Sequence, residues 1–177
     1  CTGAFVRNSY DASDSVNRIV WTLDEDYAEL LAYTRGLIAL RKRFDVFRIG
    51  DAGRIAQAAA FLPAEDAAVA ASGDCSGNRC AVKSDAGALS ETEKQYGQAF
   101  GYTLDWTDGT WFLLFNAAGT EHCFTLGGAL QKPVVFVDGA AASPDGITHP
   151  SGIRFEQNRI ILDPYTAAIV RSEEGIF

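Results

Sequence analysis

Asn8, Ser9, Tyr10, Asp14 and Asn17 fall within one short polar run that ends at Val20-Trp21. Their side chains suit a hydroxyl-rich ligand. Carboxylate and amide oxygens accept hydrogen bonds from paired hydroxyls, amides donate back, and a tyrosine ring can lie against the apolar face of a pyranose. The same residue types also make turns, because Asn, Asp and Ser bond to nearby backbone. Composition alone favours that plainer reading. Other groupings carry less chemistry. Asp24, Glu25 and Asp26 offer adjacent carboxylates, but a helix N-terminus accounts for them. His149 and Ser151 lack the sequence context of an activated nucleophile and any orienting acid. Cys75 and Cys80 bracket Ser-Gly-Asn-Arg and are candidates for a local disulfide. Such a pair would favour secretion or a cell surface; localisation is otherwise open. The four cysteines include no CxxC pair and only His122 and His149 offer imidazoles, so no metal site is expected.

A strong helical pattern follows the polar run. Over residues 24–44, Tyr27, Leu30, Leu31, Thr34, Leu37, Ile38 and Arg41 fall on one stripe, which Leu40 and Phe44 widen. Thr22 and Glu25 have capping-box spacing. The acids at its start and Arg41-Lys42-Arg43 at its end complement the helix dipole without any ligand. Gly36 costs about 1 kcal/mol against Ala in a helix interior. Close approach to a neighbouring backbone would justify it. A second, Ala-rich helix is predicted over residues 51–62, stopped by Pro63. Residues 64–98 show no sustained period and read as a long loop or insertion, with a helical turn near Ser90-Glu93.

After Ala99 the pattern becomes that of strands. Phe100, Tyr102, Leu104 and Trp106 alternate with smaller or polar residues, which predicts one buried face. Asp108-Gly109 marks a hairpin, and residues 111–116 are nearly all apolar, as in a central strand. Further strands are predicted over 122–126, 134–138, 153–157, 159–162 and 167–171. Turns at Gly127-Gly128, Asp138-Gly139, Pro144-Asp145-Gly146 and Asp163-Pro164 separate them. This spacing suggests an antiparallel β-sandwich.

The composition excludes several classes. Among 177 residues, 47% are hydrophobic and 21% charged, so a packed core is expected. A net charge of −8 argues against a nucleic-acid partner. No apolar run approaches the roughly 20 residues that span a bilayer, so no membrane partner is expected. Beginning at Cys1 and lacking methionine, the sequence is expected to be the later part of a longer chain.

The run Asn8-Ser9-Tyr10, Asp14, Asn17, Val20-Trp21 resembles the loop after the eighth barrel strand of type I pullulanases, in the α-amylase superfamily of glycoside hydrolases. The segment Tyr33-Thr34-Arg35-Gly36-Leu37-Ile38-Ala39-Leu40-Arg41-Lys42 resembles that family's last barrel helix. The likeness is specific over about the first fifty residues and architectural beyond Phe100. Val20 stands where the family usually has Asp. The resemblance implies an α+β fragment: residues 1–50 ending a (β/α)8 barrel, residues 51–98 a short helix and linker, residues 99–177 an antiparallel β-sandwich. It implies a retaining hydrolase of α-1,6 linkages in pullulan, starch or glycogen, needing no cofactor. Asn8, Ser9, Tyr10, Asp14 and Asn17 would bind substrate. The catalytic carboxylates, about 5–5.5 Å apart in a retaining enzyme, would stand on middle barrel strands upstream, where barrel enzymes place their chemistry. None is expected in this chain, which would be inactive alone. Its partners would be an α-glucan and the upstream part of the same enzyme.

Two other readings remain open on the residues. Tyr102, Trp106 and Trp111 could present an aromatic sugar-binding surface on a carbohydrate-binding module, although their alternation favours a place in the sandwich core. The helix is also apolar around much of its circumference, which would invite association if it stood alone.

Overall fold

The computed structural model describes residues 9–17, 25–66 and 98–173. The chain divides into two compact units whose boundary falls between Leu31 and Ala32. In the first, a single 3-10 turn at Ser9–Asp11 precedes a helical turn, α1 (Asp14–Asn17). Helix α2 spans Glu25–Arg43, so the predicted long helix is present. Its capping residue Thr22 lies outside the described residues.

The second unit is built on two antiparallel sheets. After α2 come a 3-10 turn (Asp45–Arg48), α3 (Ala52–Ala58), β1 (Ala59–Pro63) and β2 (Glu65–Asp66). Then follow β3 (Ala99–Trp106), β4 (Gly109–Asn116), β5 (His122–Thr125), β6 (Val134–Val137), β7 (Ile153–Glu156), β8 (Arg159–Leu162) and β9 (Thr166–Ser172). One sheet has the order β1-β3-β4-β9-β6 and the other β2-β5-β8-β7. The strands predicted after Ala99 all form, within a residue or so of their expected ends. Strand β4 lies between β3 and β9 and is buried along most of its length, as its unbroken apolar run requires. The Asp108-Gly109 signal closes the β3–β4 hairpin, where Gly109 takes a φ of +124°. A side chain there would also meet the Ser172 carbonyl oxygen at 2.0 Å.

Three expectations need correction. First, the Ala-rich segment is helical only over Ala52–Ala58, where the Asp51 carboxylate caps the Arg54 N–H at 2.7 Å. From Ala59 the chain pairs with β3, Ala59 opposite Leu104 and Pro63 opposite Phe100. The helical propensity of this Ala-rich run is overridden by strand pairing. Pro63 is tolerated because β1 is an edge strand. Second, the predicted face of β3 packs toward the helices and not toward the second sheet, with Leu104 buried in the outer cluster and Tyr102 and Trp106 beside it. Ala99, Gly101 and Thr103 point into the sandwich, whereas Phe100 is exposed and Tyr102 and Trp106 are half-buried. A side chain at Gly101 would stand 2.7 Å from Leu114, so only a small residue fits beneath the opposite sheet. Third, α2 packs through the residues that widened its predicted stripe, Leu40 and Phe44, and not through the stripe's centre. Tyr27, Leu30, Leu37 and Ile38 are exposed, 59%, 63%, 39% and 51% respectively. The packed residues are Tyr33, Leu40 and Phe44.

Two hydrophobic clusters result. Between the sheets lie Phe112, Leu114, Phe124, Ile160, Leu162 and Val170, each at most 2% exposed. On the outer face of the five-stranded sheet, Leu40 and Val46 cover Trp111, Leu113, Phe136 and Val137. Phe44 and Phe47 meet the Trp111 ring edge-on at 4.7 and 5.1 Å. Trp111 is therefore core, as its alternation suggested, but of the outer cluster. At Gly36 an added Cβ would lie 1.9 Å from the Ala142 carbonyl oxygen. The glycine thus serves a close backbone approach, to a loop that forms a single bridge with Val137. Cys75, Cys80 and the turn near Ser90-Glu93 lie outside the described residues; Cys123 is a buried thiol in β5 beside Ile161.

Candidate functional site

The polar run begins with two tight turns. The Val16 and Asn17 amides donate to the Ser13 carbonyl at 2.9 and 3.2 Å. The Asn17 side-chain amide donates to the Ala12 carbonyl at 3.0 Å, and the Ser13 and Ser15 hydroxyls bond to each other at 2.6 Å. Part of the polarity therefore shapes the loop, as the turn-making reading holds. Tyr10 is different: it is 97% exposed and its ring packs on none of the described aromatic residues. Asn8 lies outside the described residues, as do the side chains of Ser9 and Asp14. The structure thus places Tyr10 and Asn17 within one short turn system, with the tyrosine ring exposed.

In the second unit, two carboxylates carry arrangements that the sequence did not reveal. Asp108 accepts from Trp111 Nε1 at 3.0 Å and from Arg171 Nη1 at 3.2 Å. The Arg171 guanidinium also lies over the Trp111 and Phe136 rings, at 5.6 and 5.5 Å. This knot ties the β3–β4 turn to β9 and seals the end of the outer cluster. Its partners are 63 residues apart, so no local spacing announces it. Asp138 is 1% exposed and accepts three backbone N–H groups, from Ala140, Ala141 and Ser151, at 2.7–2.8 Å. A buried carboxylate satisfied in this way is an organiser of loops. The Tyr33 hydroxyl donates to the Asp138 carbonyl at 3.2 Å. Burial, and secondarily the negative charge of Asp138, raise the Tyr33 phenol above its ordinary value of 10.0. Ser151 and His149 are exposed members of this turn, and Ser151 contributes its backbone N–H rather than a nucleophile.

Among the described residues no three His, Cys, Asp or Glu side chains cluster to hold a metal. Among them, too, no helix is long and apolar enough to cross a membrane.

Residues 93–173 match the SpuA C-terminal family. Pullulanase A of Streptococcus pneumoniae serotype 4 (strain ATCC BAA-334 / TIGR4) is 28% identical over 181 residues, covering 97% of this chain. The chain spans only 12% of that relative's length. The catalytic module of the multi-modular glycogen-degrading pneumococcal virulence factor SpuA, solved with an inhibitor, is 25% identical with a TM-score of 0.71. The match covers 95% of this chain and 22% of that one. The Group B Streptococcus pullulanase SAP is likewise 25% identical, with a TM-score of 0.69, over 94% of this chain and 20% of the other. Likeness in sequence and in fold runs along nearly the whole chain, and it agrees with the resemblance carried by the first fifty residues: the chain is similar to pullulanases over a region that ends in a match to the SpuA C-terminal family.

Proposed function

We propose that this chain is the C-terminal part of a debranching glycoside hydrolase, in which α2 is the last helix of the catalytic barrel and the β-domain braces that barrel. The observation that carries the reading is the two-faced helix. Tyr33, Leu40 and Phe44 pack on the outer face of the sheet, while Leu37 and Ile38 stay exposed on the same helix. An apolar face of this kind marks an interface rather than a solvated surface. Residues 1–50 complete the barrel, residues 51–98 form the connection, and residues 99–177 form most of the sandwich.

On this reading the substrate is an α-glucan, in keeping with relatives named as pullulanases or as glycogen-degrading. Asn8, Ser9, Tyr10, Asp14 and Asn17 hold glucose units near the scissile bond, with the Tyr10 ring against a pyranose face. Chemistry belongs to the upstream part. One carboxyl protonates the leaving oxygen while a second attacks the anomeric carbon, and water then hydrolyses the glycosyl-enzyme with retention. The chain alone has no hydrolytic activity.

The test mixes this chain with a separately produced upstream segment and measures reducing sugar released from pullulan. Activity should require both pieces. Ile38→Glu should abolish the reconstitution, while Tyr10→Ala should mainly raise KM. Hydrolysis by the chain alone, or by the upstream segment without it, would refute the proposal.

A further inference from the structure

We infer that an open groove between α3 and the β3–β4 turn is a sugar site, formed by residues other than the Asn8–Asn17 loop and taking neutral glucose units of an α-glucan. The groove is shallow and open to solvent, with a volume of about 430 Å³, and is lined by Arg54, Gln57, Ala58, Asp105, Trp106 and Thr107. Its aromatic wall is Trp106, half-buried at the end of β3. The Arg54 guanidinium lies 4.7 Å from the centre of that ring.

The chemistry of the wall selects the ligand. Arg54 and Asp105 balance in charge, so the groove favours neither an anion nor a cation. Together they offer donors and acceptors: guanidinium and amide N–H groups from Arg54 and Gln57, the Asp105 carboxylate, the Gln57 carbonyl and the Thr107 hydroxyl. Such a set, beside an aromatic face, suits paired hydroxyls on a pyranose. These groups are also uncommitted. Among the described residues the Arg54 guanidinium makes no ion pair, and the side chains of Gln57 and Thr107 make no hydrogen bond. Asp105 is engaged through one oxygen alone, which accepts from the Thr110 hydroxyl at 2.6 Å. Purely structural stacking of Arg54 on Trp106 would fasten α3 to the sheet, but it would not require Gln57, Asp105 and Thr107 to converge on the same opening. An exposed cation–π contact is weak, so a sugar ring can take the aromatic face and leave the guanidinium to donate to its hydroxyls.

This inference rests on the α-glucan reading given above, and its test separates the two. Maltoheptaose is titrated into the chain by calorimetry, with circular dichroism to verify each variant's fold. The wild type should bind saturably. Trp106→Ala should weaken binding by about tenfold, the loss of one stacked ring. The double variant Arg54→Ala, Gln57→Ala alters only exposed side chains of a short helix, so it keeps the fold; it should cost at least about fivefold. Binding that survives both variants but falls on Tyr10→Ala overturns the groove and leaves the glucan reading standing. Absence of saturable binding also overturns the groove, whereas reconstitution with the upstream segment stands or falls separately.

Discussion

The two faces of the five-stranded sheet are built from different materials. Toward the second sheet, the cluster is mainly aliphatic and sealed, with Leu114, Phe124, Ile160, Leu162 and Val170 all fully buried. Toward the helices, it is aromatic and bounded by polar clamps: Trp111 and Phe136 stack at 5.1 Å, Arg171 lies over both, and Asp108 ties them to the turn. Exposed rings border it, notably Phe61 at 70% and Phe100 at 45%. A sealed aliphatic layer makes the domain fold. A clamped aromatic layer with open flanks holds α2 in place while leaving surface for something else to pack on.

If that contrast is right, the largest loss should come from the sealed layer. Leu114 is wholly buried and abuts Gly101, with no room for the backbone to collapse into a void. Leu114→Ala should therefore cost about 2–5 kcal/mol, read from urea denaturation of the β-domain signal. A cost below about 1 kcal/mol would show that the inner layer repacks freely and is not the stabilising one.

Gly36→Ala should come next and should act on the outer layer. The new methyl would overlap the Ala142 carbonyl oxygen, so either the helix or the loop must move. Overpacking of this kind costs about 1–3 kcal/mol, against a gain in helix propensity of up to about 1 kcal/mol. The net effect is destabilising, with the tryptophan fluorescence of a variant that keeps only Trp111 shifting to the red as Phe44 and Phe47 lift from the indole. An unchanged spectrum with raised stability would mean that the helix does not press on that loop.

Much of this division could be read in advance, and the failures are informative. Strands β3 to β9 announced themselves through period-two alternation and turn residues such as Asp108-Gly109. Gly36 announced a close approach because nothing else excuses glycine in mid-helix. Alternation, however, separates two faces of a strand without saying which one meets the second sheet. In β3 the large residues belong to the helix side and the small ones to the sandwich, because Leu114 and Phe124 fill the space above Gly101. The same ambiguity applies to α2. An apolar stripe at helical spacing identifies a face that avoids water, and this helix has two of them. At Ala59–Pro63 helical propensity misled, since pairing with β3 is a tertiary term that no local window contains. The candidate site was legible as a run of residue types. The Asp108–Trp111–Arg171 knot and the Trp106 groove were not, because each joins segments far apart in the chain.

Asp108→Ala tests the clamp itself and should cost less than either core change, about 1–2 kcal/mol. It strands the buried Trp111 N–H, while the Arg171 guanidinium keeps its place over the rings. The full buried-ion penalty does not apply, since the Arg171 side chain left unpaired is still 21% exposed. Thermal unfolding measures the cost, and Asp108→Asn, which retains an acceptor for the indole, should recover most of it. Equal losses in both variants would assign the effect to the Arg171 charge pair.

The smallest effect should be visible only in alkali. Tyr33 joins α2 to the Asp138 turn, and the folded state raises its phenol by burial and by the nearby carboxylate. Tyr102 is raised as well, by burial alone. A group whose folded value exceeds its unfolded one keeps its proton longer in the native state. Its contribution is therefore complete below the unfolded phenol value of 10.0 and is lost as pH rises through the higher folded value. Denaturant midpoints should fall as pH climbs above about 10. Tyr33→Phe should flatten that fall without removing it, because Tyr102 still titrates. A Tyr33→Phe variant with an undiminished alkaline slope would show that the outer layer does not hold this phenol away from water.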